Sequence, residues 1–216
     1  MKKIFTLLVI AVLIAGYASA QQSEGLFGVH AGLNLSSFWG SDVPESVKSK
    51  PGIKIGIETL LDFPRSKNLS YNIAMSFVQR GAKFESWGLY GTNVDAEIAL
   101  NSLLFHVCPR YTFDLGNDMG IFLQAGLFGG LNVSAKVRAK EDGVWESEKL
   151  EIGSDDGQVE FLESGLVLGA GLQVKNNINV GVGYNLGIAT LAHGENAPAI
   201  RNSSLSFTAT YFFNKK

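Results

Sequence analysis

The chain has 216 residues, a formal charge of −2 and 46% hydrophobic residues, with 25 glycines, 5 prolines and a single cysteine, Cys108. A mildly acidic chain without lysine clusters carries no electrostatic footprint for nucleic acid. One cysteine excludes an internal disulfide, so an exported fold must be held by other means.

At the start, Lys2 and Lys3 form a positive region, residues 4–17 are almost wholly apolar, and Ala18-Ser19-Ala20 supplies small residues. That order predicts a secretory signal peptide over residues 1–20, cleaved between Ala20 and Gln21. The apolar run is too short for a membrane anchor, and no cysteine follows it that could carry a lipid. Loss of Lys2 and Lys3 takes the formal charge to −4. Residues 21–216 then read as one domain with no dividing linker. No later segment has the roughly 18 consecutive apolar residues that a membrane helix needs.

Period-two alternation of apolar and polar residues recurs eight times, over residues 27–36, 53–63, 69–77, 102–113, 123–134, 165–174, 178–188 and 204–213. Tilted strands of about 9–11 residues cross the hydrocarbon layer, and these runs have about that length. Short turns are expected at 64–68, 114–118 and 175–177, where Pro, Gly, Asn and Asp gather. Longer connections are expected near 40–51, 86–97, 138–159 and 190–200. Alternation of short turns and long loops is the pattern of a membrane barrel, with both termini in the periplasm.

Three features favour a membrane barrel over a soluble one. The polar face is mostly Gly, Ser, Asn, Gln and Thr, where a water-facing exterior would carry more Lys and Glu. Aromatic residues gather at the ends of runs. Phe27, Phe63, Tyr71, Tyr111, Phe113, Tyr211 and Phe213 fall toward the periplasmic rim, and Phe38, Trp39, Trp87 and Tyr90 toward the outer rim. Amphipathic rings favour the membrane–water interface. The third feature is the export signal. The expected fold is therefore all-β: a single eight-stranded antiparallel up-and-down transmembrane β-barrel, closed because lipid cannot satisfy an open sheet edge. Pro109 strains this pattern, since it cannot donate to a ladder, and a local bulge is expected there.

The strand-4 text Leu103-Leu104-Phe105-His106-Val107-Cys108-Pro109-Arg110-Tyr111-Thr112-Phe113, together with the signal, the eight runs and the aromatic last strand, resembles the PorT-like outer-membrane β-barrel proteins of Bacteroidetes-type bacteria. The resemblance spans the mature chain. It implies an outer-membrane location, contact with outer-membrane lipid, and insertion by the barrel-assembly machinery, which favours a terminal aromatic. Here Asn214-Lys215-Lys216 follow Phe213. One member of that family serves protein secretion, and no residue match carries that role here.

The inward face holds Lys54, Glu58, Arg80, Arg110 and Glu163. Buried charges need partners, so Lys54, Arg80 and Arg110 are expected to pair with Glu58 and Glu163 and fill the interior. An eight-strand interior is just wide enough for side chains to fill. The functional alternative is a gate whose pairs exchange to open a narrow pore. His30 and His106 face inward and His193 lies in an outer loop. With Cys108 as a doubtful third ligand, no metal spacing is met, and no cofactor is expected. No Gly-x-Ser-x-Gly motif marks a hydrolase.

Residues 138–158 hold seven acids, Glu141, Asp142, Glu146, Glu148, Glu151, Asp155 and Asp156, against Arg138, Lys140 and Lys149. Asp142-Gly143 signals a hairpin turn, so strands 5 and 6 are expected to run beyond the membrane. Ser154-Asp155-Asp156-Gly157 lacks calcium-loop spacing. Asp142, Trp145, Glu146, Asp155 and Asp156 are the candidates for a protein partner, since loops on rigid scaffolds carry function. The reading is a non-catalytic barrel with a structural or interaction role. The alternatives are a narrow passive channel and, last, a lipid-modifying enzyme.

Overall fold

A computed structural model describes residues 25–63, 66–89, 92–141, 144–153, 155, 158–175, 177–192 and 198–213, with backbone only at 67, 85–89, 92–94 and 141. The signal segment lies outside the described residues. The strands are β1 (Leu26–Trp39), β2 (Val47–Phe63), β3 (Ser66–Leu89), β4 (Thr92–Gly116), β5 (Met119–Glu141), β6 (Val144–Leu150), β7 (Ile152–Gly153), β8 (Val159–Glu160), β9 (Leu162–Val174), β10 (Ile178–Gly187) and β11 (Arg201–Phe213). Eight of them close a ring in the order β1-β2-β3-β4-β5-β9-β10-β11, with β11 returning to β1. Every pair in the ring is antiparallel and, apart from the β1–β11 closure and the β6–β8 excursion, joins neighbours in the chain. The all-β closed barrel read from the sequence is the fold observed.

The turns at one end are tight. Asn117 and Asp118, at φ 54° and 58°, make the β4–β5 turn, and Asp114 accepts the Gly116 amide at 2.8 Å. Asn and Asp tolerate that left-handed conformation. Just above these turns, Phe27, Phe63, Tyr71, Tyr111, Phe113, Tyr211 and Phe213 all point outward and are exposed. Their rings touch in pairs: Phe27–Phe213 at 6.2 Å, Phe63–Tyr71 at 5.9 Å and Tyr111–Phe113 at 4.8 Å. This is an aromatic girdle at the lower rim. Above it the outward face is Val29, Ile57, Met75, Phe105, Leu127, Leu168, Val182 and Phe207, all exposed. The inward face at that level is Asn34, Asn72, Ser76, Asn185 and Ser206, all buried.

Higher up, the same strands turn their polarity over. Along β3 the inward side passes from Ser70, Asn72 and Ser76 to Ala82 and Phe84, while Lys83 points out. On β4, Leu100 and Ala96 are buried between the outward Asn101 and Glu97. On β5, Ala135 faces in and Arg138 faces out. Phe38, Ala82, Phe84, Ala96, Leu100, Ala135 and Leu191 form one apolar cluster, with Val43, Ile152, Val159 and Ile200 packed on it. A wall in lipid puts apolar groups outside; a wall in water puts them inside.

This reversal corrects three expectations. The stretch 86–97 is not a loop: β3 runs to Leu89 and β4 starts at Thr92, paired through Leu89↔Thr92. The connection at 40–51 shrinks to 40–46, because β2 begins at Val47. Phe38 is not an outer-rim residue. It shares inward parity with His30, Asn34 and Ser36, and its ring packs on Phe84 at 6.2 Å. Trp39 is exposed as expected and lies under the Arg201 guanidinium at 5.0 Å. The Trp87 side chain and Tyr90 lie outside the described residues.

Pro109 makes no bulge. The β4–β5 ladder runs Val107↔Leu127 and resumes at Arg110↔Gln124 in the same register. The missing amide is absorbed by a two-residue lapse in pairing. The register shift on this ladder falls instead at Asn101/Ser102, where the polarity turns over, and again at the Asp114/Gly116 turn.

Candidate functional site

The lumen is layered. In its lower half, a cavity of about 50 Å³ is lined by His30, Lys54, Glu58, Asn72, His106 and Arg110, among others. Period two brings them there: His30 from β1, Lys54 and Glu58 from β2, Asn72 from β3, and His106 and Arg110 from β4. The register sets His30 opposite Gly56, and Gly56 opposite Ser76. A Cβ on residue 56 would stand 2.8 Å from His30 Nε2 and 2.1 Å from the Met75 carbonyl. Glycine therefore opens the path by which the imidazole crosses β2 and meets Ser76 Oγ at 3.0 Å. On its other side, His30 Nδ1 is 3.7 Å from Glu58 Oε2, and Asn72 Nδ2 donates to the same oxygen at 3.4 Å.

Ser76, His30 and Glu58 thus follow one another in the order of a hydrolytic triad. No local sequence motif marks this group, because the three residues meet only across strands. The surroundings do not suit acyl transfer. Ser76 is 1% exposed and does not line the chamber. The amides that could hold an oxyanion belong to β-ladders.

The expected pairing of lumen charges forms at one place. Arg80 and Glu163 make a two-pronged pair, with Arg80 Nη1 donating to Glu163 Oε1 at 2.8 Å and Nη2 to Oε2. Arg80 Nη2 also donates to Ser102 Oγ at 2.7 Å, and Asn202 Nδ2 donates to Glu163 Oε2 at 3.1 Å. Asn132 closes the group by accepting from Ser102 at 2.8 Å. All five side chains are buried. The group lies where the inward face turns from polar to apolar. Below it sits a second apolar layer of Val78, Leu104, Cys108, Phe128 and Val167.

Arg110 forms no ion pair with a carboxylate among the described residues. It donates to Gln173 Oε1 at 2.9 Å and lies 3.8 Å over the Phe122 ring. With its carbonyl turned toward Arg110, Asn179 accepts at 2.7 Å. Lys54 also forms no direct ion pair among the described residues. The expected pairing of Lys54 and Arg110 with the two glutamates is therefore not observed. Tyrosine-free, amide-rich walls let neutral groups and a ring take the place of a carboxylate around a planar guanidinium.

Above the membrane, β5 continues to Glu141 and β6 returns along it, from Glu141↔Val144 to Ala135↔Leu150. Among the described residues β6 has no strand paired on its other side. Trp145 is 52% exposed, and Glu146 and Asp155 are exposed. Asp142, Asp156 and His193 lie outside the described residues. The register keeps the acids of β6 away from the bases of β5: Glu146 stands opposite Ala139 and Glu148 opposite Val137, while Lys140 stands opposite Trp145, Arg138 opposite Ser147 and Lys136 opposite Lys149. The chain then crosses the mouth of the barrel. The Glu160 amide donates to the Leu191 carbonyl at 2.7 Å, and the Ala199 amide to Asp42 at 2.8 Å. That amide, and then the Ser41 hydroxyl, hold the Asp42 carboxyl below its ordinary range.

Residues 19–192 match the family model described as an outer membrane protein beta-barrel domain. The chain belongs to this family. It is an outer-membrane protein, and the eight-strand ring is its transmembrane barrel. No curated protein matches the sequence. Among solved structures it is similar to the attachment invasion locus protein Ail of Yersinia pestis, at 16% identity over 88% of this chain and 99% of that one, TM-score 0.43. It is also similar to Neisserial surface protein A, at 15% identity over 87% and 97%, TM-score 0.44. The outer membrane enzyme PagL is similar at 15% identity over 82% and 98%, TM-score 0.45.

Proposed function

We propose that this barrel is a non-catalytic outer-membrane scaffold that displays a strand edge to a protein partner outside the cell. The supporting observation is the extended wall that ends on β6. Its outer edge offers unpaired backbone groups, and Trp145 stands exposed beside them. A partner with an extended segment can add a strand there, backbone hydrogen bonds giving affinity and side chains giving specificity.

A channel is disfavoured by the layers across the lumen, and a lipid-modifying enzyme by the buried Ser76. Export by cleavage after Ala20 and insertion by the barrel-assembly machinery belong to the same proposal. A PorT-like place within the family rests on residues 103–113 and the aromatic last strand. The test is a photo-crosslinking residue at position 145 in living cells. Discrete protein adducts, lost when the label moves to lipid-facing Leu168, are the expected result. No adduct at 145, with solute flux in liposomes, would replace the scaffold by a channel. Labelling of Ser76 by a fluorophosphonate would replace it by an enzyme.

A further inference from the structure

The lumen charges do not balance. Among the described residues of the lower and middle lumen, the charged side chains that face in are three cations, Lys54, Arg80 and Arg110, and two anions, Glu58 and Glu163. Arg80 and Glu163 satisfy each other. That leaves Lys54 and Arg110 against Glu58 around one chamber. A buried charge without a counter-charge is costly. The chamber also holds polar atoms that make no hydrogen bond among the described residues. His106, 4% exposed, has an unbonded Nε2, and His30, 5% exposed, has an unbonded Nδ1. Asn72, Asn185 and Thr210 add further polar groups to the lining.

The volume sets the scale of what can enter. A water needs about 10–15 Å³ by this kind of measure, so the chamber of about 50 Å³ holds a small ion with a few waters. Sugars and lipid headgroups are too large. A metal cation would face two positive side chains, and no three His, Cys, Asp or Glu converge among the described residues.

We infer that the chamber binds one small monovalent anion of halide size, held by Lys54 with help from Arg110 and the imidazole of His106. The anion completes the charge balance of the lower lumen. It is a structural ligand: Phe212, 1% exposed, together with Leu60 and Ser70, lies buried toward the periplasmic end.

The test uses the full chain in detergent, crystallised from bromide. An anomalous bromide peak near Lys54 and His106 is expected. Saturating bromide or chloride should raise the thermal unfolding midpoint, whereas gluconate, too large for the chamber, should not. Lys54→Met should weaken the halide effect at least about ten-fold, as expected when a buried ion loses its partner. Trp145→Ala, on the distant arm, should leave it unchanged. A chamber that contains only water in bromide would overturn the inference, and so would an equal response to gluconate. If Lys54→Met does not fold, the wild-type bromide map and the halide series still decide the matter.

Discussion

Below the Arg80–Glu163 layer the wall wears its apolar side out; above it the same strands wear that side in. Leu103 and Phe105 of β4 face lipid, while Leu100, a few residues earlier on the same strand, faces the interior. One strand thus reads as two sequences, because its solvent changes along its length. The hydrophobic effect acts on the wet part in the usual way, whereas in lipid the barrel is held by its closed ladders and by polar packing within. The two regions should therefore respond differently to the same kind of mutation.

The largest difference is expected at their junction. Glu163→Gln leaves Arg80 buried without its counter-charge, which costs about 3–5 kcal/mol for a broken buried pair. Urea titration of the refolded protein in detergent should show that loss. The double change Arg80→Met with Glu163→Met should recover part of it, since no lone charge then remains.

Next in size is a charge placed on the lipid face. Leu33→Arg should cost about 2–4 kcal/mol if it sits near the midplane. Lys83→Arg, outward on the upper wall, should change the folding free energy by well under about 1 kcal/mol. Vesicle-folding equilibria compare the two directly. A comparable core truncation is Leu100→Ala in the upper cluster, at about 2–5 kcal/mol. Leu168→Ala on the lipid face leaves no closed cavity and should cost less.

These contrasts explain what could be read from the chain alone. Eight runs were legible because apolar-out, polar-in alternation is uniform where the solvent is uniform. The lower girdle, Phe27 through Phe213, was legible for the same reason. The upper parts of β3 and β4 were hidden because Lys83 and Glu97 look like loop residues until they are seen as the wet face of a wall. Phe38 reads as a rim residue for the same reason, although it packs inward on Phe84. For the site, parity brought Lys54, Glu58, Arg80, Arg110 and Glu163 to one side. It could not pair them: pairing depends on height along tilted strands, and Arg110 meets the neutral groups of Gln173, Asn179 and Phe122 instead of a carboxylate. The contact of His30 with Ser76 depends on glycine at 56, a condition that only register reveals.

The smallest expected effect lies in the loops over the mouth. Asp42 titrates below its ordinary value of 3.8 when it holds the Ala199 amide. Its contribution is therefore fully present above that value and is lost as pH falls through the lowered folded value. Hydrogen exchange at Ala199 should accelerate in that acid window relative to the trend set by neighbouring amides. Asp42→Asn should remove the pH dependence.

Depth along one outward face tests the reversal of the wall most directly. Single spin labels at Phe105, Leu103, Asn101 and Glu97 of β4, in a background with Cys108 replaced by serine, can be read against oxygen and a water-soluble nickel reagent. The account predicts oxygen-dominated relaxation at 105 and 103, a crossover at 101, and nickel-dominated relaxation at 97. Lipid-like relaxation continuing to 97, or water-like relaxation already at 105, would contradict it.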